Sequence, residues 1–179
     1  MEMRQSIQKP MPDLRFRLMA LEYRVRARPA DVSRELRSLG VEPGMRVLDF
    51  GCGPGRYALP AADVVDVTGE VWALDIHPLA IAAVKKGAAA RGLANVRTLL
   101  SDCATGLPAE SMDVVLLFHA LHDVDNKAAV LGELRRILKP KGRLLYKDHT
   151  LNGHALLSLM RDNDFRPWGR SSVTSFVKC

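Results

Sequence analysis

Val47-Leu48-Asp49-Phe50-Gly51-Cys52-Gly53-Pro54-Gly55 decides the fold of this chain. An apolar run closes on an acid, opens at once into three alternating glycines, and leads to a helical pattern over Arg56 to Val67. The glycines admit positive φ and let a ligand approach the backbone closely. A helix N-terminus beyond them offers N–H groups with no intrahelical partner. A dinucleotide fingerprint needs its third glycine at position 56, where Arg56 stands, so the match is to GxGxG and not to GxGxxG. Asp49 also argues against a pyrophosphate, since a carboxylate beside two phosphates is repulsive. Its charge suits a cationic ligand.

Outward from this turn, short apolar runs alternate with helical stretches. Leu14 to Arg26 carries Leu14, Leu18, Leu21 and Val25 at helical spacing with arginines between them. Pro29 breaks it, and Asp31 to Leu39 predicts a second short helix that Gly40 ends. Strands are expected at Arg46–Phe50, Val71–Asp75, Val96–Leu100, Val114–Phe118 and Arg143–Lys147. Helices are expected at Pro78–Arg91, Lys127–Leu138 and Ala155–Asn163. Two short strand candidates, Phe165–Gly169 and Val173–Lys178, close the chain. This alternation implies βαβ crossovers, hence a doubly wound α/β domain whose parallel sheet is covered by helices on both faces. The last two strands, joined by a few residues, should be antiparallel. Ligands in such a sheet bind outside the carboxyl ends of the strands, where strand order reverses.

Length and composition agree. The 179 residues suit one domain, an N-terminal helical segment over 1–40 and a ligand-binding core over 41–179. Hydrophobic residues at 47% and charged residues at 26% are the balance of an ordinary globular protein. No apolar run reaches the length of a transmembrane helix, and the first dozen residues lack the apolar core of a signal peptide. Cys52, Cys103 and Cys179 form no CxxC pair, so reduced thiols and a cytoplasmic location are expected. The net charge of +6 lies largely before the first strand, in Arg15, Arg17, Arg24, Arg26, Arg28, Arg34 and Arg37. No aromatic-rich RNA-binding signature accompanies it, so solvated helix faces are preferred to nucleic acid as the explanation.

The second strand, Val71-Trp72-Ala73-Leu74-Asp75, ends in an acid at roughly the interval after the glycines used to hold ribose hydroxyls. Pro78 starts the next helix without needing Asp75 as a cap. Four stretches in order then resemble the successive motifs of class I S-adenosylmethionine-dependent methyltransferases: Asp49 to Gly55, Asp75, Ser101-Asp102, and Leu138-Lys139-Pro140-Lys141-Gly142. The likeness is greatest to the small group related to ubiquinone/menaquinone-biosynthesis methyltransferases, and it covers the chain from about Arg37 onward. Lys141 departs from the family's more usual glycine, in what should be a surface turn. The resemblance implies a Rossmann-like, seven-stranded, mostly parallel sheet with an antiparallel last strand. It also implies S-adenosylmethionine as cofactor and S-adenosylhomocysteine as product. By position, Gly51 and Gly53 would line the methionine part, with Phe50 and Cys52 in the same turn and Asp49 near the ammonium. Asp75 would bind the ribose, Ile76 would pack on the adenine, and Asp102, with Cys103 beside it, would meet the adenine amino group. Phe118 would face the sulfonium, or else be a core aromatic.

Phe118-His119-Ala120-Leu121-His122-Asp123 follows the fourth strand. His119 or His122 could serve as general base if the acceptor must lose a proton, because imidazole titrates near neutral pH. The HxxH spacing has no evident third ligand, so no metal is expected. Asp148 and His149, ending the fifth strand, share that edge and either contact acceptor or simply end the strand. Acceptor choice would fall to the N-terminal segment acting as a lid, to the loop at His119 to Asn126, to the short stretch after Asp148, or to a second subunit of a homodimer. A small-molecule acceptor is favoured over a macromolecule. The alternative is a non-catalytic S-adenosylmethionine-binding module that serves as a partner to another enzyme.

Overall fold

The computed structural model describes residues 9–26, 28–151, 153–169 and 174–179, the last four residues of the first helix by backbone alone. The elements run α1 (Asp13–Arg26), α2 (Pro29–Ser38), β1 (Arg46–Phe50), α3 (Ala58–Val65), β2 (Glu70–Asp75), α4 (Pro78–Ala90) and β3 (Val96–Leu100). Then come β4 (Met112–Phe118), a 3-10 turn (Leu121–Asp123), α5 (Lys127–Ile137), β5 (Leu138–Lys147), α6 (Gly153–Asp162), β6 (Phe165–Pro167) and β7 (Thr174–Lys178). The seven strands lie in the order β3-β2-β1-β4-β5-β7-β6. β1 to β5 pair in parallel, and β7 is antiparallel to both its neighbours. Strand order reverses between β1 and β4, so the glycine turn after β1 opens at the switch point. Among the described residues no helix is long and apolar enough to cross a membrane.

Alternate residues of the central strands feed two cores. Val47, Val71, Val114 and Leu116 pack with Val32 and Leu36 of α2, Ala61 and Val65 of α3, and Val84 of α4. Leu48, Leu74, Val115 and Leu117 pack on the other face with Val130, Leu131 and Leu134 of α5 and Leu156 and Met160 of α6. A two-residue side-chain period with both faces buried explains why these strands read as continuous apolar runs.

Two local expectations need correction. α3 begins at Ala58, not Arg56, because Gly51, Gly53 and Gly55 all hold positive φ (75°, 51° and 88°) and the chain becomes right-handed helical only after them. β5 begins at Leu138, so the segment 139–142 is extended chain rather than a separate turn. It fits because the β4–β5 register shifts between Met112 and Val114, and Gly142 lies where a Cβ would stand 2.9 Å from the Met112 carbonyl oxygen. Leu14, Leu18 and Leu21 of α1 face water, while Phe16 is the one buried residue among the described side chains of that helix; the side chain of Val25 lies outside the described set. The Arg143 guanidinium ties α2 to the sheet, donating to the carbonyls of Leu39 (2.8 Å) and Gly40 (2.6 Å).

Candidate active site

β1 and β2 end side by side, and the turn is sewn to both. Gly51 and Cys52 donate their N–H groups to the Leu74 carbonyl at 2.8 and 2.9 Å. Asp75 receives one backbone N–H on each carboxylate oxygen, from Gly53 and from His77, both at 2.8 Å. Burial pushes the Asp75 carboxyl up in pKa, and these two bonds oppose the rise. Each oxygen keeps a further lone pair for a ligand hydroxyl. The cap of α4 is His77, whose Nδ1 accepts from the Leu79 N–H at 3.2 Å, which leaves Asp75 available.

Asp49, at the end of β1, is buried and receives the Ala58 N–H, yet its Oδ2 has no partner. Burial, opposed by that bond and reinforced by Asp75, pushes its carboxyl up to about 7. Gly51 touches the next loop, since a Cβ there would meet the Ala120 Cβ at 2.5 Å. Beside Gly53 the space is open, with the Met19 Cε of α1 nearest at 3.9 Å from a built Cβ. Phe16 lies on the His77 ring, centroids 4.5 Å apart. Thus α1 covers the turn, although nothing in its apolar spacing singled out Phe16 or Met19.

Ile76, Asp102 and Cys103 are half-buried after β2 and β3, joined by the Ser101 N–H donated to the Asp75 carbonyl (3.1 Å). Burial, with Glu133 and Asp102 nearby, pushes the Cys103 thiol up. Phe50, Cys52 and Phe118 are brought to the same edge, but their side chains are core. Phe50 joins the α5 side of the sheet, Cys52 the opposite side, and Phe118 packs edge-on to Tyr57 (4.8 Å).

The ends of β4 and β5 gather the histidines. His119 holds φ +54° and donates its N–H to the Lys147 carbonyl at 2.6 Å. Burial and the Lys147 charge hold its imidazole below the usual range. His122 Nδ1 lies 2.9 Å from Asp148 Oδ2, with Nε2 3.4 Å from Asp123 Oδ2. Asp148 has a fully buried side chain. Its burial alone would raise the carboxyl, but hydrogen bonds from the Thr150 N–H, His122 and the Thr150 hydroxyl outweigh it and bring the group to about 2. The exposed His149 ring packs 5.1 Å from that of His122. Lys147 pairs with Glu35 of α2 at 2.8 Å, and Tyr57 lies beside it. Glu35, Tyr57 and Lys147 carried no motif signal, because only the packing of α2 on the sheet assembles them. Among the described residues no group of three or more His, Cys, Asp or Glu side chains could hold a metal ion.

The arrangement fits S-adenosylmethionine on its own terms: an unpartnered buried carboxylate oxygen for a cation, a doubly anchored carboxylate for a hydroxyl pair, and glycines where side chains would intrude. Comparison with known proteins agrees. The family model described as Methyltransferase domain matches residues 41–170. The ubiquinone/menaquinone biosynthesis C-methyltransferase of Ectopseudomonas mendocina is 33% identical over 141 residues, covering 76% of this chain and 55% of that protein. The aklanonic acid methyltransferase of Streptomyces sp. strain C5 is 36% identical over 104 residues, covering 58% and 47%. This chain therefore spans about half the length of the curated relatives it matches. A SAM-dependent methyltransferase structure from Aquifex aeolicus shares the fold with a TM-score of 0.74 at 22% identity, covering 88% of this chain and 95% of that one. With the matched region reaching from just before β1 to beyond β6, the chain belongs to the methyltransferase-domain family.

Proposed function

We propose that the chain transfers a methyl group to a small-molecule acceptor that must give up a proton from a hydroxyl or an acidic carbon. The observation that carries the cofactor side is the buried, unpartnered Oδ2 of Asp49 at the mouth of the glycine turn. S-adenosylmethionine, when bound, supplies an already activated methyl, so the protein's work is position, charge and proton acceptance. Asp49 holds the ammonium, the Gly51 to Gly53 backbone lines the methionine part, and Phe50, Cys52 and Phe118 brace that wall from within the core. Asp75 accepts from the ribose hydroxyls, Ile76 packs on the adenine, and Asp102 with Cys103 borders its amino group.

On the acceptor side, His122 takes the proton. Asp148 fixes its Nδ1–H, which leaves Nε2 as the basic nitrogen, and Asp123 lies close enough to stabilise the imidazolium that forms. His119, kept neutral by burial, donates to or accepts from the acceptor. The N-terminal segment closes the site as a lid, with Met19 over Gly53. The named relatives support a small acceptor, since ubiquinone, menaquinone and aklanonic acid are small molecules.

Calorimetric titration with S-adenosylhomocysteine, alongside NADH and the Asp75→Ala variant, tests the reading. Micromolar binding of S-adenosylhomocysteine alone, weakened at least about a hundredfold in the variant, is expected from the loss of two charge-assisted hydrogen bonds. Preference for NADH would overturn it.

A further inference from the structure

Helix α1 has two apolar faces. Phe16 and Met19 point inward, onto His77 and the glycine turn. Leu14, Leu18 and Leu21, at i, i+4 and i+7, share the opposite side and are 71%, 62% and 59% exposed. At about 100° per residue, the exposed Arg15 and Arg17 fall on either flank of this leucine stripe. The acids of α1 are Asp13 and Glu22, against Arg15, Arg17, Arg24 and Arg26. Beside the stripe runs a groove of about 360 Å³ lined by Phe16, Arg17, Ala20, Leu21 and Leu79.

Charge and area together identify the occupant. Leucines flanked by arginines are the pattern of a helix that lies in a membrane interface, apolar side down and cations at the headgroups. Residues 1–40 carry nine Lys/Arg against five Asp/Glu, which favours an anionic surface. The three leucines offer roughly 200–300 Å² of apolar area by the usual transfer bookkeeping. A stable protein–protein interface needs about 800 Å² from each partner, so this stripe alone is too small for a second copy. A lipid surface has no such threshold, and the groove has room for part of an acyl chain.

We propose that α1 docks the chain peripherally on anionic lipid, with Leu14, Leu18 and Leu21 in the acyl boundary and Arg15 and Arg17 at the phosphates. Because the inner face of the same helix lies on the glycine turn, docking holds that turn close to the lipid. The test is co-sedimentation of the full chain with phosphatidylcholine vesicles and with vesicles made mostly of phosphatidylglycerol. Binding to the anionic vesicles is expected, decreasing with added salt. The Leu14→Gln/Leu18→Gln/Leu21→Gln variant should weaken it by at least about tenfold, and Arg15→Gln/Arg17→Gln by about tenfold. Far-UV circular dichroism of both variants should match the parent. No binding to anionic vesicles, binding that survives loss of the leucines, or a leucine-dependent dimer in lipid-free solution would each overturn the proposal. Calorimetry with S-adenosylhomocysteine reports separately on the cofactor site, since none of the substituted side chains faces the glycine turn.

Discussion

Asp49 is a carboxyl group withdrawn from water with one of its oxygens left unpartnered, and that gives it a measurable signature. Burial raises its pKa to about 7 from an ordinary 3.8. The folded state therefore binds this proton more tightly than the unfolded chain, and stability falls as pH rises between about 4 and 7. Asp49→Asn should remove that slope and raise the ligand-free protein's stability at pH 8 by the order of a few kcal/mol, read by urea denaturation at several pH values. A cationic ligand beside Asp49 favours the ionised form. S-adenosylhomocysteine affinity in the parent should accordingly rise with pH up to about 7, with proton release visible by calorimetry in buffers of different ionisation enthalpy. The histidine edge is tested at the same scale. His122→Asn should lower kcat by about 10²–10⁴, as loss of a general base does. Asp148→Asn should lower kcat by less than His122→Asn does, because it removes only the hydrogen bond that orients the His122 ring; a kcat equal to the parent's would show that Asp148 does not position the base. Asp49, Asp75, His119 and His122 were all legible in the sequence, because each sits at a fixed offset from the end of an apolar run. The pairing of His122 with Asp148, 26 residues away, was not.

At the scale of elements, the glycine turn couples β1 to β4. Gly51 has a φ that other residues rarely adopt, and a Cβ there would strike Ala120 at the head of the histidine loop. Gly51→Ala should destabilise the protein by about 1–3 kcal/mol from backbone strain and overpacking. It should also weaken S-adenosylhomocysteine binding at least about tenfold, because a shifted Ala120 carries the turn with it. Urea denaturation and calorimetry on one preparation check both. The late start of α3 has the same origin as that prediction. Periodicity favoured helix from Arg56, but positive φ at Gly55 postpones it. In α1 the leucine spacing announced a helix and left open which of its faces is covered. Helical period reveals that an apolar stripe exists, whereas the partner surface decides which stripe is covered. His77 and Gly53 took the Phe16 and Met19 side.

Across the whole molecule, ligand binding and folding are linked, since the site is built from the ends of β1, β2, β3 and β4, which meet only in the native sheet. Saturation with S-adenosylhomocysteine at about 100 times its Kd should add about 2.7 kcal/mol to stability. For a chain of this size that corresponds to a rise in Tm of about 5–10 °C by thermal denaturation; an unchanged Tm would contradict a preformed site. The alternation of apolar runs and helical stretches determined the parallel α/β class, and the glycines and acids placed at strand ends marked the candidate site at one edge of the sheet. Those are local properties: side-chain period, the φ that glycine permits and the charge of an adjacent carboxylate act within a few residues. Tertiary structure alone decided that Lys147 meets Glu35, that Asp148 is buried against His122, and that Leu14, Leu18 and Leu21 face water. Each of those depends on which surfaces remain free once two layers of helices have competed for the same sheet, and that competition is settled over distances no sequence window spans.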